Sequence, residues 1–331
     1  MSEIHYPHIN RRLRTDRHIR ELTSTVRLSH KSFIQPLFVE EGVGDTRLVA
    51  GLNGVWVDTN NSIIQTIQHD VDAGITKFLL FPIPKHKSLS GFDFSFASMV
   101  ISAIKTHFGD RIWIAADLCL CSYTSHGHCG ILSDSQDRLL NHETVVQLAA
   151  YALVLARAGA DCIAPSDMTD GRIGAIRTIL DQHGFDHVSI MSYAAKFSSQ
   201  LYGPFRDACH SSPNAKGLQN RKTYQISPYN LGDAIETALR DDKEGADILM
   251  VKPAGLYTDV IKGIAGLSGK PVAAYHVSGE YASVELLAGN GLANREALHL
   301  EVWAGLVRSG ATIIISYASR HAKGWIENAE F

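Results

Sequence analysis

Four times along this chain a stretch of helical periodicity ends in a glycine and passes at once into a short, unbroken apolar run. The junctions are Gly74-Ile-Thr-Lys-Phe-Leu-Leu-Phe, Gly159-Ala-Asp-Cys-Ile-Ala-Pro, Gly245-Ala-Asp-Ile-Leu-Met-Val-Lys and Gly310-Ala-Thr-Ile-Ile-Ile-Ser-Tyr. Glycine suits the left-handed residue that closes a helix, and an apolar run without polar alternation suits a strand covered on both faces. Further runs at Phe33 to Val39, Ile112 to Ala116, Val188 to Met191 and Pro271 to Tyr275 bring the strand count to eight. Helices fit between them. Asn61 can cap one with Ile64, Ile67 and Val71 on a single face, and Asn141 one with Val145, Leu148, Ala152 and Leu155. Eight parallel strands with interposed helices in about 300 residues predict a (β/α)8 TIM barrel over an open doubly wound sheet. No Gly-x-Gly-x-x-Gly follows the first strand, which also disfavours a dinucleotide-binding sheet.

Composition narrows the class of function. At 331 residues with 45% hydrophobic content, the chain can bury a substantial core, and its net charge of -3 names no partner. No basic stretch suggests nucleic acid, no apolar run is long enough for a membrane span, and the N-terminus lacks the apolar core of a signal peptide. A cytoplasmic location is the resulting expectation. Residues 1–30 differ from the barrel segment 31–331: Arg11, Arg12, Arg14, Arg17, Arg20 and Arg27 stand among few large apolar side chains. They read either as an arm ordered against another subunit or as a solvated terminus.

The densest chemistry lies in residues 117–130, where Asp117, Cys119, Cys121, Cys129, His126 and His128 follow an apolar run. In an extended chain Asp117, Cys119 and Cys121 share a face, and a loop through Gly127 can return Cys129 to them. Soft thiolates select zinc over magnesium or calcium, and three protein ligands leave a fourth position open for water or substrate, as catalytic sites do. A closed zinc knot with His126 or His128 as fourth ligand and a disulfide are the competing readings.

A barrel would bring distant residues together, because sites of this fold gather at the C-terminal ends of the strands. Those ends carry Asp117 and the cysteines, Ser166 and Asp167, Tyr193 and Lys196, Lys252, Tyr275 and Ser278, and Tyr317. Lys252 closes the run Ile248-Leu-Met-Val, so its amine is expected to be buried. Desolvation and a second cation nearby, for which Lys196 is placed, would make it a nucleophile able to form a Schiff base with a ketone.

These stretches together resemble one family closely, porphobilinogen synthase or δ-aminolevulinate dehydratase, in its zinc-dependent branch. The resemblance rests on residues 117–130, on Ala164-Pro-Ser-Asp-Met-Thr-Asp-Gly-Arg172, on Met191-Ser-Tyr-Ala-Ala-Lys-Phe197, on Tyr202-Gly-Pro-Phe-Arg-Asp-Ala208 and on residues 245–253 with Tyr257. It implies condensation of two δ-aminolevulinate molecules to porphobilinogen with loss of two waters, in tetrapyrrole synthesis. By motif match Lys252 and Lys196 would hold the first and second substrates as Schiff bases, with one catalytic zinc on Cys119, Cys121 and Cys129. Ser278 and Tyr317, beside Tyr275, would take the first carboxylate, and Asp117 and Ser166 its amino group. Arg206 and Gln225, with Arg221 assisting, would take the second carboxylate. Residues 197–222, rich in glycine and serine, would form a mobile lid. The resemblance also implies a homo-oligomer, octameric in form, in which each arm embraces a neighbour.

Two departures qualify the match. Thr223 stands where some relatives have a cysteine that binds a second metal with a histidine placed like His128, so that second site is not expected. Thr237 stands where some bacterial relatives use a glutamate for an activating magnesium, and Glu236 beside it points about 100° away on a helix. No magnesium activation is expected there. Two other readings remain: a metal-independent Schiff-base aldolase with structural cysteines, and a non-catalytic zinc protein using the barrel as a binding platform.

Overall fold

The computed structural model describes residues 10–329. Eight parallel strands run in chain order around a closed barrel: β1 (Phe33–Glu40), β2 (Lys77–Ile83), β3 (Trp113–Leu118), β4 (Cys162–Pro165), β5 (Ser189–Lys196), β6 (Ile248–Lys252), β7 (Val272–His276) and β8 (Ile313–Ser316). The ring closes where β1 pairs in parallel with β8, Phe33 opposite Ile314 and Ile34 opposite Ile315. The strands are buried almost throughout, as expected of a sheet whose outer face is covered by helices.

The four junction glycines do what the sequence predicts. Gly74, Gly159, Gly245 and Gly310 have φ of +92°, +98°, +105° and +115°, a region open to glycine and strained for other residues. In each case the amide of the following residue returns to a carbonyl one turn back: Ile75 to Asp70, Ala160 to Leu155, Ala246 to Asp241 and Ala311 to Leu306. This closure stops the helix and aims the chain into the next strand.

Two caps differ from expectation. The helix Ser62–Asp72 follows Asn61, whose side chain makes no cap bond; Thr59 Oγ1 instead accepts from the amides of Asn61 and Ser62. Asn141 is the first residue of the helix Asn141–Arg157 and not its cap. Its amide group reaches across to the loop after β4, donating to the Asp170 carbonyl at 3.0 Å and accepting from the Asp170 amide at 2.9 Å. The sequence also gave no sign of a small hairpin after β1, in which Arg47–Leu48 pairs antiparallel with Trp56–Asp58 and the latter extends β1 at its mouth end.

The arm has no core of its own. A 3-10 turn at Asn10–Arg14 and a short helix at Arg17–Thr23, capped by Asp16, bury no residue. Leu13, one of its few large apolar side chains, is 49% exposed. Ile4, Tyr6 and Ile9 lie outside the described residues. Among those described, no helix is long and apolar enough to cross a membrane.

Candidate active site

The expected residues converge on the C-terminal mouth of the barrel. Lys196 and Lys252, the last residues of β5 and β6, stand opposite each other in register and are both buried. Lys252 Nζ lies 4.3 Å from the ring centroid of Tyr275, 4.7 Å from Phe205, 5.0 Å from Tyr193 and 5.5 Å from Tyr202. Burial, and then the positive charge of Lys196, lowers the Lys252 pKa to about 7, against a smaller opposing pull from Asp117. Lys196 donates to the Ser166 carbonyl and sits 5.4 Å from the Tyr193 ring. Asp117, at the end of β3, is pushed up to about 6 by burial, while Lys196 and Lys252 pull the other way.

Tyr193 and Lys196 are three residues apart and in a regular strand would face opposite sides. The β5–β6 register shifts between Ser192 and Ala195. This irregularity lets both side chains point inward, and Tyr193 becomes the surface on which both amines rest. Behind it Arg172, fully buried, pairs with Asp241 at 3.0 Å and Asp167 at 3.4 Å and donates to the Tyr193 carbonyl. The loop that carries Ser166 is thereby tied to β5.

The three predicted cysteines also meet. Their sulfurs lie within 4.8 Å of one another, all buried, and this is the one such group found among the described residues. All five cysteines of the chain are free thiols, so the disulfide reading is not realised. The closed knot fares no better with His128, whose ring nitrogens are both engaged, Nδ1 with the Tyr224 hydroxyl at 2.9 Å and Nε2 with the Leu218 carbonyl at 2.8 Å. His126 Nδ1 accepts from the His128 amide at 3.1 Å. The return of Cys129 depends on Gly127, whose φ is +71° and where a Cβ would lie 2.5 Å from the Ser212 carbonyl oxygen. Hydrogen bonds from the Cys119 and Cys121 thiols, with the buried Arg221 guanidinium nearby, hold Cys129 well below the usual thiol range. Three soft sulfurs with no fourth protein donor grouped with them among the described residues are a donor set suited to a thiophilic metal ion with an exchangeable position.

Residues 197–222 begin directly after Lys196 and cover this mouth. Phe197, Tyr202, Cys209, Ser211 and Arg221 are buried. Tyr202 Oη donates to the carbonyls of Phe197 and Lys252 at 2.9 and 3.1 Å, and the Gly279 amide donates to the Leu201 carbonyl at 2.8 Å. Beneath this cover several polar groups have no protein partner: Arg206 Nε, Arg221 Nε, and both Oε1 and Nε2 of Gln225. Arg221 Nη2 is anchored to the carbonyls of Gly127 and Ser211 at 2.9 and 2.6 Å. On the other side of Lys252 the Tyr275 and Tyr317 hydroxyls are 3.2 Å apart, and Ser278 Oγ bridges the Phe205 amide and the Leu201 carbonyl, both at 3.3 Å. Sequence reasoning left Tyr202, Phe205 and Tyr224 without roles, since an aromatic residue on a loop carries no mark of the face it will present.

Thr237 is buried on the helix Leu231–Lys243, with its hydroxyl 3.4 Å from Asp233 Oδ1, and Thr223 is exposed. Neither side chain is a carboxylate or a thiolate.

The family model described as delta-aminolevulinic acid dehydratase matches residues 8–325. The delta-aminolevulinic acid dehydratase of Bacillus subtilis is 40% identical over 321 residues, covering 96% of this chain and 97% of the relative. That of Helicobacter pylori is 41% identical over 318 residues, covering 95% and 96%. A crystal structure of the Toxoplasma gondii enzyme in complex with its reaction product porphobilinogen superposes with a TM-score of 0.92 at 36% identity, covering 98% of this chain and 92% of that one. Matched nearly end to end in sequence and in backbone, this chain belongs to the delta-aminolevulinic acid dehydratase family.

Proposed function

We propose that this protein is a porphobilinogen synthase, a hydro-lyase that condenses two molecules of δ-aminolevulinate to porphobilinogen with loss of two waters in tetrapyrrole synthesis. The observation that carries this reading is the pairing of two buried lysines at adjacent strand ends beside a three-cysteine cluster. The ε-amine of Lys252 attacks the ketone of the first substrate, and that of Lys196 the ketone of the second. Each imine releases one water as it forms. Each lysine is then expelled as a carbon–nitrogen or carbon–carbon bond replaces it, so two lost waters and two regenerated amines balance. The protonated imine withdraws electrons from the neighbouring carbon and makes bond formation feasible near neutral pH.

The remaining residues bind and orient. Ser278 and Tyr317, with Tyr275, are assigned to the first carboxylate, and Asp117 and Ser166 to the amino group of that substrate. Arg206, Arg221 and Gln225 are assigned to the second carboxylate, for which their unpartnered nitrogens are donors. Zinc held by Cys119, Cys121 and Cys129 would supply a Lewis acid and an acidified water for the second substrate. The cover 197–222 opens for substrate and excludes water when closed. With Thr237 in place of a carboxylate, no activation by magnesium is assigned to that position. Production of porphobilinogen by the purified chain, with borohydride trapping of substrate on Lys252, tests the assignment. A protein that binds δ-aminolevulinate but yields neither pyrrole nor adduct would be a binding platform.

The Lys252 pKa sets a pH dependence. Only the neutral amine attacks a carbonyl, so the rate of adduct formation should climb as pH rises through about 7 and level off above it. A limb near the ordinary lysine value, about 10.4, would place the nucleophile elsewhere.

We further propose that the protein is a cytoplasmic homo-oligomer, octameric in form, held by its arm. Support comes from the arm elements Asn10–Arg14 and Arg17–Thr23, neither of which has a buried residue. Deleting residues 1–24 should lower the mass measured by light scattering. An unchanged mass would make the arm a solvated tail.

A further inference from the structure

The short lid helix Gly203–Ala208 carries Arg206, and its end is held by contacts that the substrate roles above leave unused. Three cations from three parts of the chain take carbonyls just beyond that end. Arg47, from the hairpin after β1, donates through Nη2 to the Ala208 carbonyl at 2.9 Å. Lys87, from the loop after β2, donates to the His210 carbonyl. Arg221, from the returning segment of the lid, donates to the Ser211 carbonyl at 2.6 Å. The last carbonyls of a helix lack partners and carry partial negative charge, so cations are favoured there.

Arg47 is itself fixed. Its Nε donates to Glu40 Oε2 at 2.9 Å, and Glu40 Oε1 lies 3.1 Å from His210 Nε2. Arg47 Nη2 is also 3.2 Å from that ring nitrogen. His210 adopts φ of +47°, a left-handed turn that exposes its carbonyl to Lys87 and its ring to Glu40 and Arg47. Glu40 is the last residue of β1, so the lid helix is referenced to the barrel wall through one carboxylate. Arg206 makes no ion pair among the described residues and has an unpartnered Nε; its guanidinium lies 5.7 Å from the Tyr202 ring centroid, so its place over the mouth is set by that ring and by the helix that bears it.

We infer that Arg47, oriented by Glu40, and Lys87 are positioning residues for the second substrate. They hold the lid closed with Arg206 in place to receive a carboxylate, and they touch no reacting atom. This rests on the reaction proposed above. Each loss raises the fraction of open lid, and apparent affinity falls in proportion to the closed fraction that remains, while chemistry in the closed state is unaltered.

The test uses full-length Arg47→Met and Lys87→Met. Each should raise KM for δ-aminolevulinate about tenfold while kcat stays within about threefold. Thermolysin cleavage inside residues 197–222 should become several-fold faster, Arg47→Lys should recover part of both effects, and melting temperature should hold. Unchanged KM and cleavage in both variants would overturn the inference. So would parallel loss of kcat and melting temperature, which marks a merely structural role. Borohydride trapping separates the two levels: a wild-type chain without adduct at Lys252 sinks the assigned reaction, whereas the cleavage comparison reads the clamp independently.

Discussion

Lys252→Met should abolish porphobilinogen formation, by about four orders of magnitude or more, and with it the borohydride-trapped adduct at this residue. Methionine has the length of the lysine stem and no amine, and the site is walled by Tyr193, Tyr202, Phe205 and Tyr275, against which a thioether packs well. The folded protein should therefore persist. Its stability should rise, and the sign can be worked out. An amine whose pKa falls to about 7 on folding binds fewer protons than in the unfolded chain at pH between that value and its ordinary one. Wild-type stability then improves with pH across that window, and the penalty is complete below it. Methionine removes the penalty, so the gain in melting temperature should be largest at pH 7 or below and vanish above about 10.4. Near-normal turnover in this variant would remove Lys252 from the mechanism.

Dialysis against a chelator should eliminate activity, and one zinc per chain should restore it. The three sulfurs share a buried corner with no fourth donor grouped with them among the described residues, so of these the ion would be held by the sulfurs alone. Cys129→Ser replaces the sulfur held most strongly in its ionised form by a poorer donor. Zinc content should fall well below one per chain and turnover more than about a hundredfold. Air or lead should mimic the loss, with thiol and zinc reversing it, because thiolates are both soft and oxidisable. An enzyme that keeps its rate in chelator, with zinc content shown to be nil, would be a metal-independent Schiff-base aldolase.

Much of this was written in local chemistry. The barrel was legible because each of four helices ends in a glycine that only a left-handed closure explains, and the lysines because each terminates a run of buried strand residues. Spacing alone also brought the three cysteines together. The residues proposed for the second carboxylate were different: Arg206, Arg221 and Gln225 sit on a segment without periodicity, and only the resemblance singled them out. What sequence could not disclose depends on long-range geometry. The shifted register at Ser192 to Ala195 turns Tyr193 inward, yet residues 189–196 contain no glycine or proline to announce it. Asn141 looked like a cap because its side chain can be one, and the nearby Asp170 backbone competed for it successfully. His128 looked available to a metal until the fold supplied Tyr224 and the Leu218 carbonyl from about ninety residues away.

Closure of the ring by its first and last strands bears on how the chain is made. Phe33 meets Ile314, and Gln35 donates to the Tyr317 carbonyl 282 residues along. Contacts so distant in sequence form late and slowly, since a long loop must close before either side is rewarded. On the ribosome β1 emerges before the other seven strands and waits for its partner until all of them have been synthesised. During that interval both margins of the growing sheet are open, and each is a template for pairing with another nascent chain. The arrival of Ile313–Ser316 therefore decides whether the strands before it close into a barrel or stay exposed to aggregation.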